Sequence, residues 1–177
     1  MRSRKTALLC MVIFFTSMTV TGCKKKDEAG RYYSRNKGYS IKIPDSWDTK
    51  KAYLGTDIVA VSPSEGPDDD FHENFNVMVQ PLNESLTVDQ FYQKSIPGFK
   101  TITKEFREHS HGYVELDGKK ARWDILSHKM GPLTIKVLAY ITIHSTNGYV
   151  ITFSSSEAKF SRYEEMFKNI ADTFRFE

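Results

Sequence analysis

From Tyr39 to Ile43 apolar and polar side chains alternate, which predicts a half-buried strand that ends at Pro44. The turn residues Asn36-Lys37-Gly38 make it the second arm of a hairpin whose first arm holds Tyr32 and Tyr33. Ile58-Val59-Ala60-Val61-Ser62 and Phe75-Asn76-Val77-Met78-Val79 read as two further strands. Between them Pro63 to Glu73, rich in Gly, Pro and Asp, reads as an exposed loop. Thr87-Val88-Asp89-Gln90 has a capping-box pattern, and Val88, Phe91 and Tyr92 continue at helical spacing to Ile96, where Pro97-Gly98 predicts a stop.

The rest of the chain predicts an antiparallel meander and a closing helix. Ile102 to Glu108, Gly112 to Leu116, Lys119 to Ser127, Leu133 to His144 and Tyr149 to Ser154 read as strands. Asp117-Gly118, Gly131-Pro132 and Asn147-Gly148 supply turns. In Leu133 to Ile143 the odd positions are apolar and Leu138 and Tyr140 add a second apolar face, so this strand is expected inside the sheet. The Asn147-Gly148 turn can place Leu138 and Tyr140 on the face of Ile151 and Phe153; a slip of one residue would exchange the faces. Phe160, Tyr163, Phe167, Ile170 and Phe174 form one helical stripe, with Arg162, Glu164, Glu165 and Lys168 outside. Ser154-Ser155-Ser156 before it are expected as caps. The expected fold class is therefore α+β: a single domain with an antiparallel sheet flanked by helices.

The start of the chain carries a different signal. Arg2, Arg4 and Lys5, the apolar run Ala7 to Val20 and the small residues before Cys23 have the layout of a secretory signal peptide. That run is shorter than the roughly 20 apolar residues a membrane-spanning helix needs. Val20-Thr21-Gly22-Cys23 resembles the lipobox of bacterial lipoproteins, in which the cysteine receives a diacylglycerol and becomes the mature N-terminus. The resemblance divides the chain into a signal peptide (1–22), a lipidated Cys23 with a polar tether (23–31), and a folded domain (32–177). It implies an extracytoplasmic protein held to the cell membrane by acyl chains. Lys24 stands where aspartate would favour inner-membrane retention, so in a cell with two membranes the periplasmic face of the outer membrane is implied. Lysines 24 to 26 serve equally as a solvated tether or as an attraction to anionic head groups. The eight residues from Lys24 to Arg31 span at most about 28 Å, so a partner must come to the domain.

Cleavage changes the charge and thiol accounts. The 25 Lys and Arg of the whole chain become 22 against 22 Asp and Glu once Arg2, Arg4 and Lys5 are removed. With Lys24 to Lys26 in the tether, the folded part is slightly acidic, which excludes a nucleic-acid surface built on clustered cations. On the lipobox resemblance Cys10 lies in the discarded signal and Cys23 would be lipidated, which leaves no thiol for a disulfide, a thiolate metal site or a nucleophile.

Gly38-Tyr39-Ser40-Ile41-Lys42-Ile43-Pro44-Asp45-Ser46-Trp47, the Phe75 to Val79 strand, the Thr87 to Tyr92 helix start and the ending Gly148 to Phe153 through Phe174 resemble the PsbP-like family. That family includes the extrinsic photosystem II subunit and bacterial lipoproteins of the DcrB type. The resemblance implies an α/β/α sandwich and carries no shared catalytic motif. Pro44 lets Trp47 fold back onto the sheet edge, where packing is its expected role.

Two clusters offer chemistry. Asp68-Asp69-Asp70-Phe71-His72-Glu73 is an oxygen-rich run of the kind hard cations favour, though it lacks the spacing of an EF-hand. His109-Ser110-His111 would set two imidazoles on one face of an extended strand, with His72, His128 or His144 as a third ligand. The metal candidates are thus Asp68, Asp69, Asp70, His72, His109 and His111; a solvated loop and ordinary strand histidines are the competing readings. No Gly-x-Ser-x-Gly elbow, phosphate loop or dinucleotide fingerprint occurs, so neither a catalytic residue nor a cofactor is assigned. The expectation is a non-enzymatic binding or assembly module for an envelope or membrane-protein partner. A metal-dependent or simple hydrolase and a small-ligand carrier are the alternatives.

Overall fold

The computed structural model describes residues 30–53 and 55–177. The expected signal peptide, the expected lipidation site Cys23 and the expected tether up to residue 29 lie outside the described residues. Ten strands and two helices follow in the order β1 (Arg31–Ser34), β2 (Tyr39–Lys42), β3 (Asp48–Lys51), β4 (Ile58–Val61), β5 (Asn74–Pro81), α1 (Val88–Ile102), β6 (Lys104–Leu116), β7 (Lys119–Met130), β8 (Leu133–His144), β9 (Asn147–Ser156), α2 (Glu157–Ala171) and β10 (Arg175–Phe176). Seven strands form one antiparallel sheet in the order β3-β4-β5-β9-β8-β7-β6, and β1-β2-β10 form a small second sheet.

The central strands of the large sheet, β8 and β9, are buried on both faces, as the double apolar pattern of β8 requires. On one face Phe75, Leu138, Tyr140, Ile151 and Phe153 pack with Tyr39 and Ile41 of the small sheet and with Phe160 and Phe167 of α2. On the other, Phe91, Tyr92, Ile96 and Phe99 of α1 cover Leu126, Val137, Ala139, Ile141 and Val150. This is the expected α+β sandwich. The register pairs Leu138 with Phe153 and Tyr140 with Ile151, so the four share the α2 face. Trp47 is buried against Phe75, with ring centroids 6.0 Å apart.

Several local expectations are corrected. Helix α1 passes through Pro97-Gly98 and ends at Ile102. Proline removes one helical hydrogen bond, but burial of Phe99 against Phe106 and His128 holds the last turn on the sheet. Thr101 and Thr103 donate their hydroxyls to carbonyls four residues back, those of Pro97 and Phe99. The two strands expected between Ile102 and Leu116 are one strand, β6, with register shifts between Lys104 and Arg107 and between Glu108 and Ser110. Bulges absorb the residues that break its alternation. Strand β3, Asp-Thr-Lys-Lys, has no apolar alternation to reveal it; as an edge strand it needs only β4 and one buried residue, Thr49. Ser154 to Ser156 finish β9 as buried residues, and Ser156 makes no side-chain cap bond. Phe174 lies beyond α2, carried back into the core by the turn at Asp172-Thr173, and stacks on Tyr39 at 5.3 Å.

Gly148 fixes how closely α1 approaches β9. A Cβ there would lie 2.4 Å from the ring of Phe91, a distance no packed side chain tolerates.

Candidate functional site

The acidic run does not stay together. Asp69 turns inward, with 1% of its side chain exposed, and binds Lys159 of α2. Its carboxylate also accepts the backbone N–H of Glu65 at 2.9 Å. Glu65 reaches the same helix, pairing with Lys159, Arg162 and the Tyr163 hydroxyl. These contacts clamp the loop to α2, so the loop is exposed only in part, contrary to its composition. Burial opposes ionisation of Asp69, but the bonds from Lys159 and Glu65 outweigh it and hold the carboxyl below the usual range. The Tyr163 hydroxyl, then Lys159 and Arg162, do the same for Glu65. Glu73 is fully buried and accepts the Ser155 hydroxyl at 3.0 Å; burial raises its carboxyl. Asp68 and Asp70 stay exposed.

The other side of this loop forms one wall of a groove with a volume of about 270 Å³. Its apolar lining is Val59, Val61, Phe71, Met130, Pro132 and Leu133; Asp69, Asp70, His72 and Asn74 supply the polar part. The opposite wall is the β7–β8 turn, some 60 residues away along the chain, and no local sequence pattern joins the two.

His109 and His111 point to opposite faces of the sheet. The His109 ring nitrogen Nε2 lies 2.8 Å from the Ser127 hydroxyl, whereas His111 stands opposite Asp124 in the ladder. Asp124 and Ser127 are an odd number of residues apart on the regular strand β7, hence on opposite faces. The bulge between Glu108 and Ser110 breaks the alternation on which a paired-imidazole site depends. The remaining histidines are dispersed: His128 is buried edge-on to Phe99, His144 stacks on Phe176 at 4.4 Å, and His72 lines the groove. Among the described residues no group of three or more His, Asp or Glu side chains is placed to hold a metal ion.

Three further arrangements escaped sequence reading. The His109–Ser127 hydrogen bond has the elements of a nucleophile and base, but Ser127 is only 3% exposed. No described carboxylate bonds the other ring nitrogen of His109 to orient it, as acyl-transfer geometry would require. Arg122 grips Asp124 through both carboxylate oxygens at 2.7–3.1 Å, on strand positions two apart that share a face, and its guanidinium lies 4.0 Å over the Tyr92 ring. Period 2 could have revealed that pair. Between α1 and the sheet a lined apolar space measures about 40 Å³. Ligand pockets run to about 300–1,000 Å³, so this space does not suit a carried molecule.

Among the described residues no helix is long and apolar enough to cross a membrane. No family model matches the chain, and no curated protein matches it. Solved structures do resemble it. Cyanobacterial PsbP from Synechocystis has a TM-score of 0.66 and 16% identity, covering 88% of this chain and 98% of that one. LpqN of Mycobacterium tuberculosis, described as involved in cell envelope biogenesis, has a TM-score of 0.58 and 13% identity, covering 84% of each chain. The Ran-binding protein Mog1p of Saccharomyces cerevisiae has a TM-score of 0.60 and 9% identity, covering 82% of this chain and 94% of that one. The chain thus has a PsbP-like fold, shared by proteins of different duties.

Proposed function

We propose that this protein is an extracytoplasmic lipoprotein, anchored through Cys23, whose PsbP-like domain acts as a non-enzymatic binding or assembly module for an envelope protein. The groove between the clamped loop and the β7–β8 turn carries the reading. It sets the exposed carboxylate of Asp70 and the His72 ring beside apolar walls from Phe71 and Leu133. That chemistry suits a protein segment presenting an apolar side chain next to a cation. Salt bridges to α2 hold the loop in shape before anything binds, which lowers the ordering cost of association.

The neighbours add support by analogy of fold alone. One is described as involved in cell envelope biogenesis and another as Ran-binding. The test is mild cross-linking of the membrane-anchored protein, extraction, and identification of what it retains. A small, reproducible set of envelope proteins is expected; its absence overturns the reading. Metal analysis of the purified protein separates the hydrolase alternative, which stoichiometric metal would favour.

A further inference from the structure

The two edges of the large sheet differ. β3 is four residues long and carries Lys50 and Lys51, features that discourage strand addition. β6 is 13 residues long and mostly exposed. Its first half is bulged, but Ser110 to Leu116 keeps an unbroken ladder with β7. Among the described residues no hydrogen bond reaches the outer edge of that stretch.

We propose that Ser110–Leu116 is a self-pairing edge, to which a second copy of this chain adds antiparallel about a twofold axis at Tyr113, joining two seven-stranded sheets. Charge complementarity selects the partner and the register. An axis at Tyr113 sets His111 opposite Glu115 of the second copy, and Glu115 opposite His111, on the face these residues share. Within one copy His111 already stands opposite Asp124 and Glu115 opposite Lys120. Across the junction the row therefore reads Asp124, His111, then Glu115 and Lys120 of the second copy, an imidazole between two carboxylates with a cation beyond. The twofold repeats this row on the other side of Tyr113. Moving the axis to residue 111 or 115 opposes like ionisable groups, imidazole to imidazole or carboxylate to carboxylate, and moving it to 112 sets His111 against tyrosine.

Tyr113 is suited to the axis. It is 50% exposed, the highest among the large hydrophobic residues described as exposed. Its hydroxyl donates to Asp89 of α1 at 2.7 Å, and Lys120 lies 4.0 Å over its ring, so the side chain is fixed before pairing. Aromatic and opposite-charge cross-strand pairs are the contacts that stabilise antiparallel ladders.

Two differently tagged full-length copies, purified and mixed in one detergent, test this by capture of one copy by the other. Wild type captures wild type. Glu115→Lys sets the introduced lysines against His111, and His111→Glu sets the introduced glutamates against Glu115. Two reversed pairs per dimer weaken capture by about tenfold or more for each variant alone. Mixing the two variants restores capture, because the introduced lysine of one then faces the introduced glutamate of the other. Misfolded variants could not show that restoration. Failure of wild-type copies to capture each other, capture indifferent to these charges, or no restoration in the mixture would each overturn the proposal; the first would assign the edge to a different partner.

Discussion

Asp124→Ala removes one half of the charge pair beneath α1, and its cost can be worked from the surroundings. The side chains of Arg122 and Asp124 are 9% and 2% exposed, so truncating the carboxylate leaves a guanidinium out of water. Breaking a buried pair costs about 3–5 kcal/mol. Asp89 lies 3.5 Å from the guanidinium but is 44% exposed, and recovers up to about 1 kcal/mol as a surface pair would. The expected loss is therefore about 2–4 kcal/mol, or a Tm lower by roughly 5–15 °C for a domain of this size. Arg122→Met combined with Asp124→Leu leaves no charge to desolvate and is expected within about 1 kcal/mol of wild type. Urea unfolding followed by circular dichroism measures both, and with Arg122→Met and Asp124→Leu alone completes a double-mutant cycle. A loss below about 1 kcal/mol for Asp124→Ala, or a double variant no better than the single ones, would refute the burial argument.

Three other outcomes follow from the geometry. Gly148→Ala drives a methyl to within 2.4 Å of the Phe91 ring and is expected to cost about 1–3 kcal/mol in urea unfolding; Phe91→Leu in the same chain should recover part of that loss. The clamp between the loop and α2 has a pH signature. Asp69 and Glu65 have lowered folded pKa values, so their contribution is present above the unfolded carboxylate range of about 4 and is lost as pH falls through the folded values. Lys159 is raised because Asp69 and Glu65 outweigh its desolvation, so its contribution is lost only as pH rises above the usual lysine range. The difference in urea midpoint between wild type and Lys159→Met should thus be flat at neutral pH and shrink in acid; a difference unchanged down to acid unfolding would contradict the clamp. Cys23→Ala should leave the domain folded but move the protein out of the membrane fraction or leave it unprocessed, which fractionation and immunoblotting read directly.

The layers of the fold were legible because burial imposes period 2 on strands and about 3.6 on helices. Leu133 to Ile143 showed both faces apolar, and Phe160 to Ile170 showed the stripe that covers one of them. Features decided by distant contacts were not legible. Pro97-Gly98 is a stop signal locally, and only Phe99 packing on Phe106 and His128 carries the helix past it. His109 and His111 read as partners until a bulge, invisible in composition, turned them apart. Asp69 reads as one of four neighbouring carboxylates, yet its partner Lys159 is 90 residues away. The groove is equally non-local, since Phe71 and Leu133 meet only because the sheet brings the loop to the β7–β8 turn.

A photo-cross-linking residue placed at Leu133 of the full-length protein in cells tests most directly whether the groove receives an envelope protein. The account predicts a discrete adduct with one envelope protein from Leu133, diminished by Asp70→Lys, and no such adduct from the same probe at exposed Met166 on α2. No adduct from Leu133, or the same adducts from both positions, would contradict it.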